Sequence, residues 1–496
     1  MSLLPVLIIG AGPTGLALAC ELARFGVKIR IVDKATSRSD KSKALGVQAR
    51  TLEALEIMGG EKLVEQALSV GVQCSRANIY FEGKQTSIDL RPTKSRFGFI
   101  LMLEQSETER ILEEKLKSYG VLVERAVELV KLTQYGDRAV MTLQSPDRPE
   151  EIVESQYAVG CDGAHSSVRH ILDLPFEGGA YDSDFLLGDV RVEWNLKGDE
   201  SHLFSTKHGV MACFPIKGSG DRFRLISGLR EKLTSKRTDL ELSELQDLAS
   251  KIVSVPIKIH DPKWLTRFRV HHRIVSRFRK GRVFIAGDAA HIHSPAGGQG
   301  MNTGIQDAQN LGWKLAFVLS RAKKSSILDT YEQERIPVAQ EVIKGTDRVT
   351  RMGLKPDTLI TRLVRSQIAP RIVRSSWVQK RIPSVLAQTQ IGYVKTPALK
   401  VIGTAGKYKA GMRVPDFMLE SLPKGTQRLY PLLHACRKHV LLVFSQGIDF
   451  PPGPYELAHA KSEFAGYWLL VRPDGYIGTC GDLKQTDKIV QYFDLF

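Results

Sequence analysis

Apolar positions change period twice within the first fifty residues. Val6-Leu7-Ile8-Ile9 is an unbroken apolar run, the mark of a parallel strand buried on both faces. After a cluster of glycines, Leu16, Ala19, Cys20 and Ala23 recur at the spacing of one buried helix face, and Gly26 stops the helix. Lys28-Ile29-Arg30-Ile31-Val32 predicts a second strand that closes on Asp33. Strand, helix and strand in that order begin an α/β sheet. Between Arg169 and Gly281 the pattern becomes short strand-like runs, such as 185–192 and 223–227. Turn signals like Lys217-Gly218-Ser219-Gly220-Asp221 separate them, which predicts an antiparallel sheet. Residues 325 to about 400 read as helices carrying Arg348, Arg351, Arg362, Arg365, Arg371, Arg374 and Arg381. From about Gly403 the runs 440–444 and 467–471 predict buried strands of a separate unit.

The 496 residues, 43% hydrophobic and 25% charged, are enough for two or three ordinary globular domains. Six scattered cysteines with no Cys-x-x-Cys pair argue against a disulfide framework, a zinc site or a dithiol centre, and no metal is expected. They fit a reducing, cytoplasmic setting. The apolar N-terminus reads as a buried strand, not a signal peptide, and no apolar run is long enough to span a bilayer. The net charge of +16 admits three readings: nucleic acid, an anionic membrane, or a polyanionic cofactor. No nucleic-acid-binding motif accompanies it, so nucleic acid is set aside. The basic helices after residue 325 suit a solvated face better than a membrane-docking one.

Chemistry first shows in Gly10-Ala11-Gly12-Pro13-Thr14-Gly15. Gly10 permits a tight turn, Gly12 lets a pyrophosphate approach the backbone, and Gly15 lets helix and strand pack closely. The helix start offers free N–H groups to phosphate, and Asp33 would accept ribose hydroxyls. Lys34 follows it directly. This unit predicts a dinucleotide but does not separate NAD from FAD.

Two later segments bear on that choice. One is a strand running through Gly160-Cys161-Asp162-Gly163-Ala164-His165-Ser166-Ser167-Val168-Arg169. The other is Gly281-Arg282-Val283-Phe284-Ile285-Ala286-Gly287-Asp288-Ala289-Ala290-His291, followed by Pro295-Ala296-Gly297-Gly298-Gln299-Gly300-Met301-Asn302 and a helical stretch. Singly, each is equally well a loop with a capping aspartate. With the glycine turn, in this order, the chain resembles the single-component flavoprotein monooxygenases of the p-hydroxybenzoate and phenol hydroxylase type. The resemblance implies bound FAD, with Asp288 on the ribityl chain and the backbone from Pro295 through Gly298, Gly300 and Met301 to Asn302 against the flavin ring. A glycine-rich turn into a helix also supplies N–H dipoles where reduced flavin is negative. Lys43, Arg50 and Gln105 match cofactor-contacting positions, although the family usually has Arg where Lys43 stands, and Gln105 also reads as a capping residue. Phenol hydroxylases carry an acid at the position of Leu45, so that catalytic device is missing.

The fold class this implies is α/β. It comprises a Rossmann-like FAD-binding domain (1–175 and 265–345), an inserted antiparallel-sheet substrate domain (176–264), a helical linker (346–402) and a thioredoxin-like C-terminal domain (403–496). The isolated Cys436 and Cys480 leave that tail a structural part or an oligomer contact, for instance in a homodimer. No second glycine-rich nucleotide unit is present, so NADPH or NADH is expected as a transient reductant. The resemblance implies that a flavin hydroperoxide, formed with O2, hydroxylates a small phenolic or polyphenolic aromatic substrate. His291 and Pro295 are the catalytic candidates, with His293 beside them. A histidine there equally well only holds the loop. Arg169 is the candidate for attracting the reductant, against a structural ion pair. The rival readings are a flavin-binding pathway protein that does not hydroxylate, and a quinone-biosynthesis hydroxylase at a membrane surface. Halogenation is disfavoured, because no Trp-x-Trp pair occurs.

Overall fold

A computed structural model of the chain describes residues 3–218, 220–228, 239–321, 324–353, 358–394, 396, 403–420, 425–445, 450–460 and 466–495. Ser219 of the expected turn, and residues 354–357, 395 and 397–402 of the expected helical linker, lie outside the described residues.

Val6, Leu7 and Ile8 are fully buried because their strand, Leu4–Ile9, is central. The first sheet runs, in space, Arg279–Lys280, Val283–Ile285, Arg148–Gly160, Leu4–Ile9, Ile29–Asp33 and Val123–Arg125. All but the first of these pair in parallel. The chain goes from the central strand to one neighbour and returns later to the other. That reversal opens a crevice at the carboxyl ends of Leu4–Ile9 and Arg148–Gly160, where such sheets bind ligands.

The second sheet is mostly antiparallel. Its order is His291–Ile292, Lys258–Ile274, Glu177–Glu193, Arg222–Gly228, Gly209–Pro215, Ser201–Thr206, Arg76–Phe81 and Lys84–Asp89. Helix Leu242–Ile252 covers one face, burying Leu245 and Ala249 against Val190, Phe204, Met211 and Phe223. The hairpin Arg76–Asp89 corrects the expected boundaries, which placed it with the cofactor domain. It joins this sheet by parallel pairing with Ser201–Thr206. Strand periodicity reports which face is buried, not which sheet a strand joins.

The C-terminal unit has a four-stranded sheet in the order Tyr455–His459, His439–Val443, Tyr467–Val471 and Ile477–Asp482, flanked by helices Leu429–Cys436 and Asp487–Leu495. Buried polar contacts fasten it to the first unit. Arg413 donates twice to Glu53, at 2.7 and 2.6 Å. Arg472 donates twice to Glu334, at 2.8 and 2.9 Å, and Lys314 adds a third donor at 2.9 Å. Trp313 Nε1 donates to Asp474 at 3.0 Å. Burial alone would raise the Glu53 carboxyl pKa, but the Arg413 and Arg50 guanidiniums hold it below its usual range.

Candidate flavin site

Three loops converge at the crevice. In the first, Gly10 has φ +102°, and a Cβ there would lie 2.4 Å from the Cys161 carbonyl oxygen. A Cβ on Gly15 would lie 1.9 Å from the Gly10 oxygen, so both glycines are demanded by the protein's own packing. Gly12 differs: a Cβ there meets nothing within 4 Å. Its backbone faces open space at the N-terminus of helix Pro13–Arg24, as an approaching pyrophosphate requires. Pro13 and Thr14 are partly exposed in its first turn. Asp33 accepts from the Ala11 and Ala35 backbone N–H groups at 2.6 and 2.8 Å, which fixes its carboxylate at the strand end. Lys34 beside it is exposed.

The second loop follows Gly160. Asp162 accepts from the Val168 N–H at 3.1 Å and from Ser166 Oγ at 2.6 Å, so one oxygen caps the short helix Ser167–Ile171 and the other holds its N-cap residue Ser166. Arg169 is buried. It donates to the carbonyls of Ala289 and Ala164 at 3.1 and 2.9 Å and lies over the Phe176 ring. This corrects the expectation of a reductant contact, because the guanidinium is spent bracing the second loop against the third.

The third loop begins at Gly287. Asp288 is solvent-accessible yet walled by protein, and that partial dehydration raises its carboxyl pKa against the opposing charges of His291 and Lys43. Among the described residues its carboxylate hydrogen-bonds to nothing. His291 is buried with Nε2 2.7 Å from Asp307, which also accepts from the Gly287 N–H at 3.2 Å and from Arg335 Nε at 2.6 Å. Arg335 continues to the Thr303 carbonyl and the Tyr393 hydroxyl, both at 3.1 Å. This corrects the catalytic expectation for His291: a ring sealed in the core cannot meet substrate, and it positions the Asp288 turn instead. His293 sits at the mouth of helix Gly300–Arg321, its Nδ1 2.8 Å from the Ser294 carbonyl and its Nε2 without a partner among the described residues. Burial lowers its pKa to about 4, so the ring is neutral at physiological pH.

Beyond it, the Gly298 N–H donates to the Pro295 carbonyl at 2.9 Å, and Gly297 and Gly298 are exposed at φ +79° and +60°. Gly300 and Met301 begin the helix partly exposed. Asn302 is buried and fully engaged. It donates to the carbonyls of Gly46 and Gly298 and accepts from the Gln48 N–H, at 2.7 to 2.8 Å, stitching the third loop to the segment after Lys43. Gln48 itself donates to the Gly297 carbonyl at 3.1 Å, and among the described residues its buried Oε1 has no partner.

Gln105 braces the Lys43 segment. Its side-chain oxygen accepts from the Ala44 N–H at 3.1 Å, while its backbone N–H donates to Ser42 Oγ at 2.7 Å. Lys43 is exposed and within electrostatic reach of Asp288. Arg50 corrects the expectation in the other direction. It is fully buried away from the loops, donating to the Asp474 carbonyl at 2.7 Å and to Glu53 at 3.3 Å, and its guanidinium lies over the Tyr476 ring. Sequence reading also missed Asp307, Arg335 and Gln48. Asp307 and Arg335 stand on two different helices, Gly300–Arg321 and Asp329–Gly353, and only packing brings them together.

The open backbone at Gly12, the unpartnered Asp288 carboxylate, the orphaned Gln48 oxygen and the exposed glycines at 297 and 298 fit a long ligand with phosphates at one end and a polar ring at the other. Residues 4–346 match the family model described as an FAD binding domain. The chain therefore belongs to the FAD-binding family of flavoprotein aromatic monooxygenases. Within it, the chain is 38% identical to the 6-methylpretetramide 4-monooxygenase of Streptomyces rimosus, over 98% of this chain and 92% of that one. The solved anhydrotetracycline hydroxylase OxyS from Streptomyces rimosus superposes with a TM-score of 0.80 at 29% identity, covering 99% of this chain and 98% of that one. The Diels-Alderase PyrE3 of pyrroindomycin biosynthesis has a TM-score of 0.78 at 28% identity, covering 96% of each chain.

Proposed function

We propose that this FAD-dependent aromatic hydroxylase acts on a large, apolar, polyphenolic ring system and takes its electrons from NADPH or NADH bound only in passing. The observation that carries the substrate class is the apolar wall beside the flavin loops. Leu45, Cys74, Met102 and Ile216 are buried together with Val72, Ile100 and Phe214 packed on them, next to Gly46. An apolar wall without an acid at Leu45 suits a fused aromatic substrate better than a small phenol held by charge. The polycyclic substrates in the names of two relatives point the same way.

Bound FAD supplies hydride acceptance and activation of O2, one oxygen atom going to the ring and the other to water. The protein's own residues prepare the site. The Gly10–Gly15 turn and its helix would receive the pyrophosphate, Asp33 the adenosine ribose, and Asp288 a ribityl hydroxyl. The first-turn N–H groups after Gly298 would offer hydrogen bonds and positive dipole to the ring of bound FAD. Asp307, His291 and Arg335 hold the Asp288 turn in register. With Arg169 committed to bracing, the reductant is met by Arg273 and His271, which share one face of strand Lys258–Ile274, and by His165 beside them. Burial lowers the His271 pKa, and the neighbouring Arg273 and Arg269 charges lower it further, so Arg273 rather than the imidazole supplies the positive charge. Arg273 Nε and His271 Nδ1 have no partner among the described residues, which suits a dinucleotide's phosphates.

The C-terminal sheet, with one parallel and two antiparallel pairs, supports the thioredoxin-like reading. Burial pushes the Cys480 thiol up to about 11, so it stays protonated, and Cys436 is likewise buried. We read this unit as a buttress rather than a redox partner.

The test is turnover under labelled oxygen with a panel of fused polyphenols. A matching substrate is expected to accelerate NAD(P)H oxidation and to gain one labelled oxygen atom. Bound flavin with no substrate gaining oxygen would turn the reading to a non-hydroxylating pathway protein, the direction in which the Diels-Alderase relative points.

A further inference from the structure

We propose that the helical face spanning residues 358–381 docks on an anionic lipid surface. The sequence alone reads this stretch as a solvated basic face, and the exposure of its apolar residues changes that reading. Ile360 is 75% and Trp377 64% exposed, and Leu363, Val364, Ile368 and Ile372 are exposed as well. Ile360, Val364, Ile368 and Ile372 recur every four residues along Leu359–Leu363, Val364–Ile368 and Ala369–Arg374. Four residues overshoot one α turn, but the middle segment is a π turn, which is wider. The drift is thereby offset, and the stripe stays on one side.

The opposite side is already occupied. Arg365 pairs with Glu82 at 3.0 Å, Arg374 donates to the Gln85 carbonyl at 2.9 Å, and Gln379 donates to the Ser87 carbonyl at 2.9 Å. These contacts, with buried Pro370 and Val378, fix the helices on the Arg76–Asp89 hairpin and leave the apolar stripe outward.

Charge selects the occupant. Between Asp357 and Asp416 the chain contains no Asp or Glu and eleven Lys or Arg. Arg362, Arg371, Lys380 and Arg381 are exposed among the apolar residues, and Arg381 lies over the Trp377 ring at 5.6 Å. Isoleucines and tryptophan interleaved with cations are what an interfacial helix presents to anionic headgroups. A second copy of this face would bring like charges together, which disfavours self-association here.

The face also ends on the flavin loops. The Ala387 carbonyl accepts from the Arg50 N–H at 3.0 Å, and the side chain of Gln388 reaches Gln299, Thr303 and Gln306. If the substrate is the apolar polyphenol proposed above, a lipid-docked face lets it enter from the bilayer. That clause rests on the proposed function, whereas docking does not.

The test uses the FAD-loaded full chain and vesicles of phosphatidylcholine with or without about 30% phosphatidylglycerol, the anionic headgroup supplying the attraction. Sedimentation is expected with the anionic vesicles only, weakening steeply with salt, together with a blue shift of tryptophan emission. Arg371→Glu with Lys380→Glu, and separately Ile360→Asp with Ile372→Asp, should each cut partitioning at least tenfold while the flavin spectrum and unfolding midpoint stay unchanged. Equal binding to neutral vesicles, no binding to either, or undiminished binding by both variants would overturn the proposal. So would a dimer, seen by light scattering, that the Ile360→Asp and Ile372→Asp variant converts to monomer. None of these readouts needs turnover, so they stand apart from any failure of the hydroxylase reading.

Discussion

The flavin cleft and the seam to the C-terminal unit use the same residue types to opposite ends. At the seam, the carboxylates of Glu53, Glu334 and Asp474 are buried and each meets a buried cation or a tryptophan N–H. In the cleft, among the described residues, Asp288 is accessible and unpartnered, Gln48 keeps an orphaned oxygen, and Gly12 faces open space. Satisfied polar groups in a dry interior specify one arrangement of the chain. Unsatisfied ones at the ends of parallel strands await a ligand. The contrast sorts residues whose sequence context looks alike: Arg50 belongs to the seam, although its segment also supplies Lys43 and Gln48 to the cleft.

The contrast predicts separable effects. The largest lies at the seam. Glu53→Ala strands Arg50 and Arg413 in the interior and should cost about 3–5 kcal/mol, read as a lowered denaturation midpoint. A midpoint unchanged within error would show that the seam does not hold the units together.

Each region also holds a histidine whose pKa burial lowers to about 4, His293 in the cleft and His434 at the seam. An unfolded histidine takes a proton near 6.5, and these two take theirs only near 4, so the unfolded state binds more protons in between. Stability should be fully present above pH 6.5 and be lost as pH falls toward 4, on the order of 3 kcal/mol per group. His434→Asn should flatten that slope whether or not flavin is present. A pH slope identical to that of the unsubstituted chain would contradict the assignment.

The two glycines of the first turn differ in what a side chain would meet. Gly15→Ala should destabilise the apoprotein, because its Cβ meets the Gly10 carbonyl. Gly12→Ala should leave thermal unfolding of the apoprotein unchanged and weaken FAD at least tenfold, about 1.4 kcal/mol. Equal losses of stability in the two variants would erase the distinction. The smallest effect separates the arginines near the reductant: Arg273→Ala should raise the KM for NAD(P)H severalfold at unchanged thermal stability. Arg169→Lys should do the reverse, lowering stability with KM intact.

The cofactor half of the fold was legible because its signals are contiguous. Strand, glycines and helix lie within thirty residues, and the Gly-Asp turn carries its helix directly behind it. What could not be read depended on distant packing. His291 reads as a catalytic candidate until Asp307 and Arg335 are seen to enclose it. Arg50 meets its carbonyl partner 424 positions away, a pairing no local pattern reports. The Arg76–Asp89 hairpin has ordinary strand periodicity, and only its neighbour reveals its sheet. The apolar stripe on the basic helices was visible as letters, but its outward side was set by contacts to that hairpin.

If the unpartnered groups of the cleft form the FAD site, titrating apoprotein with FAD by calorimetry will show it. The unsubstituted chain should bind one FAD, and Asp288→Ala should bind at least tenfold more weakly with its apo unfolding midpoint unchanged. Equal affinity in the two proteins would contradict the account.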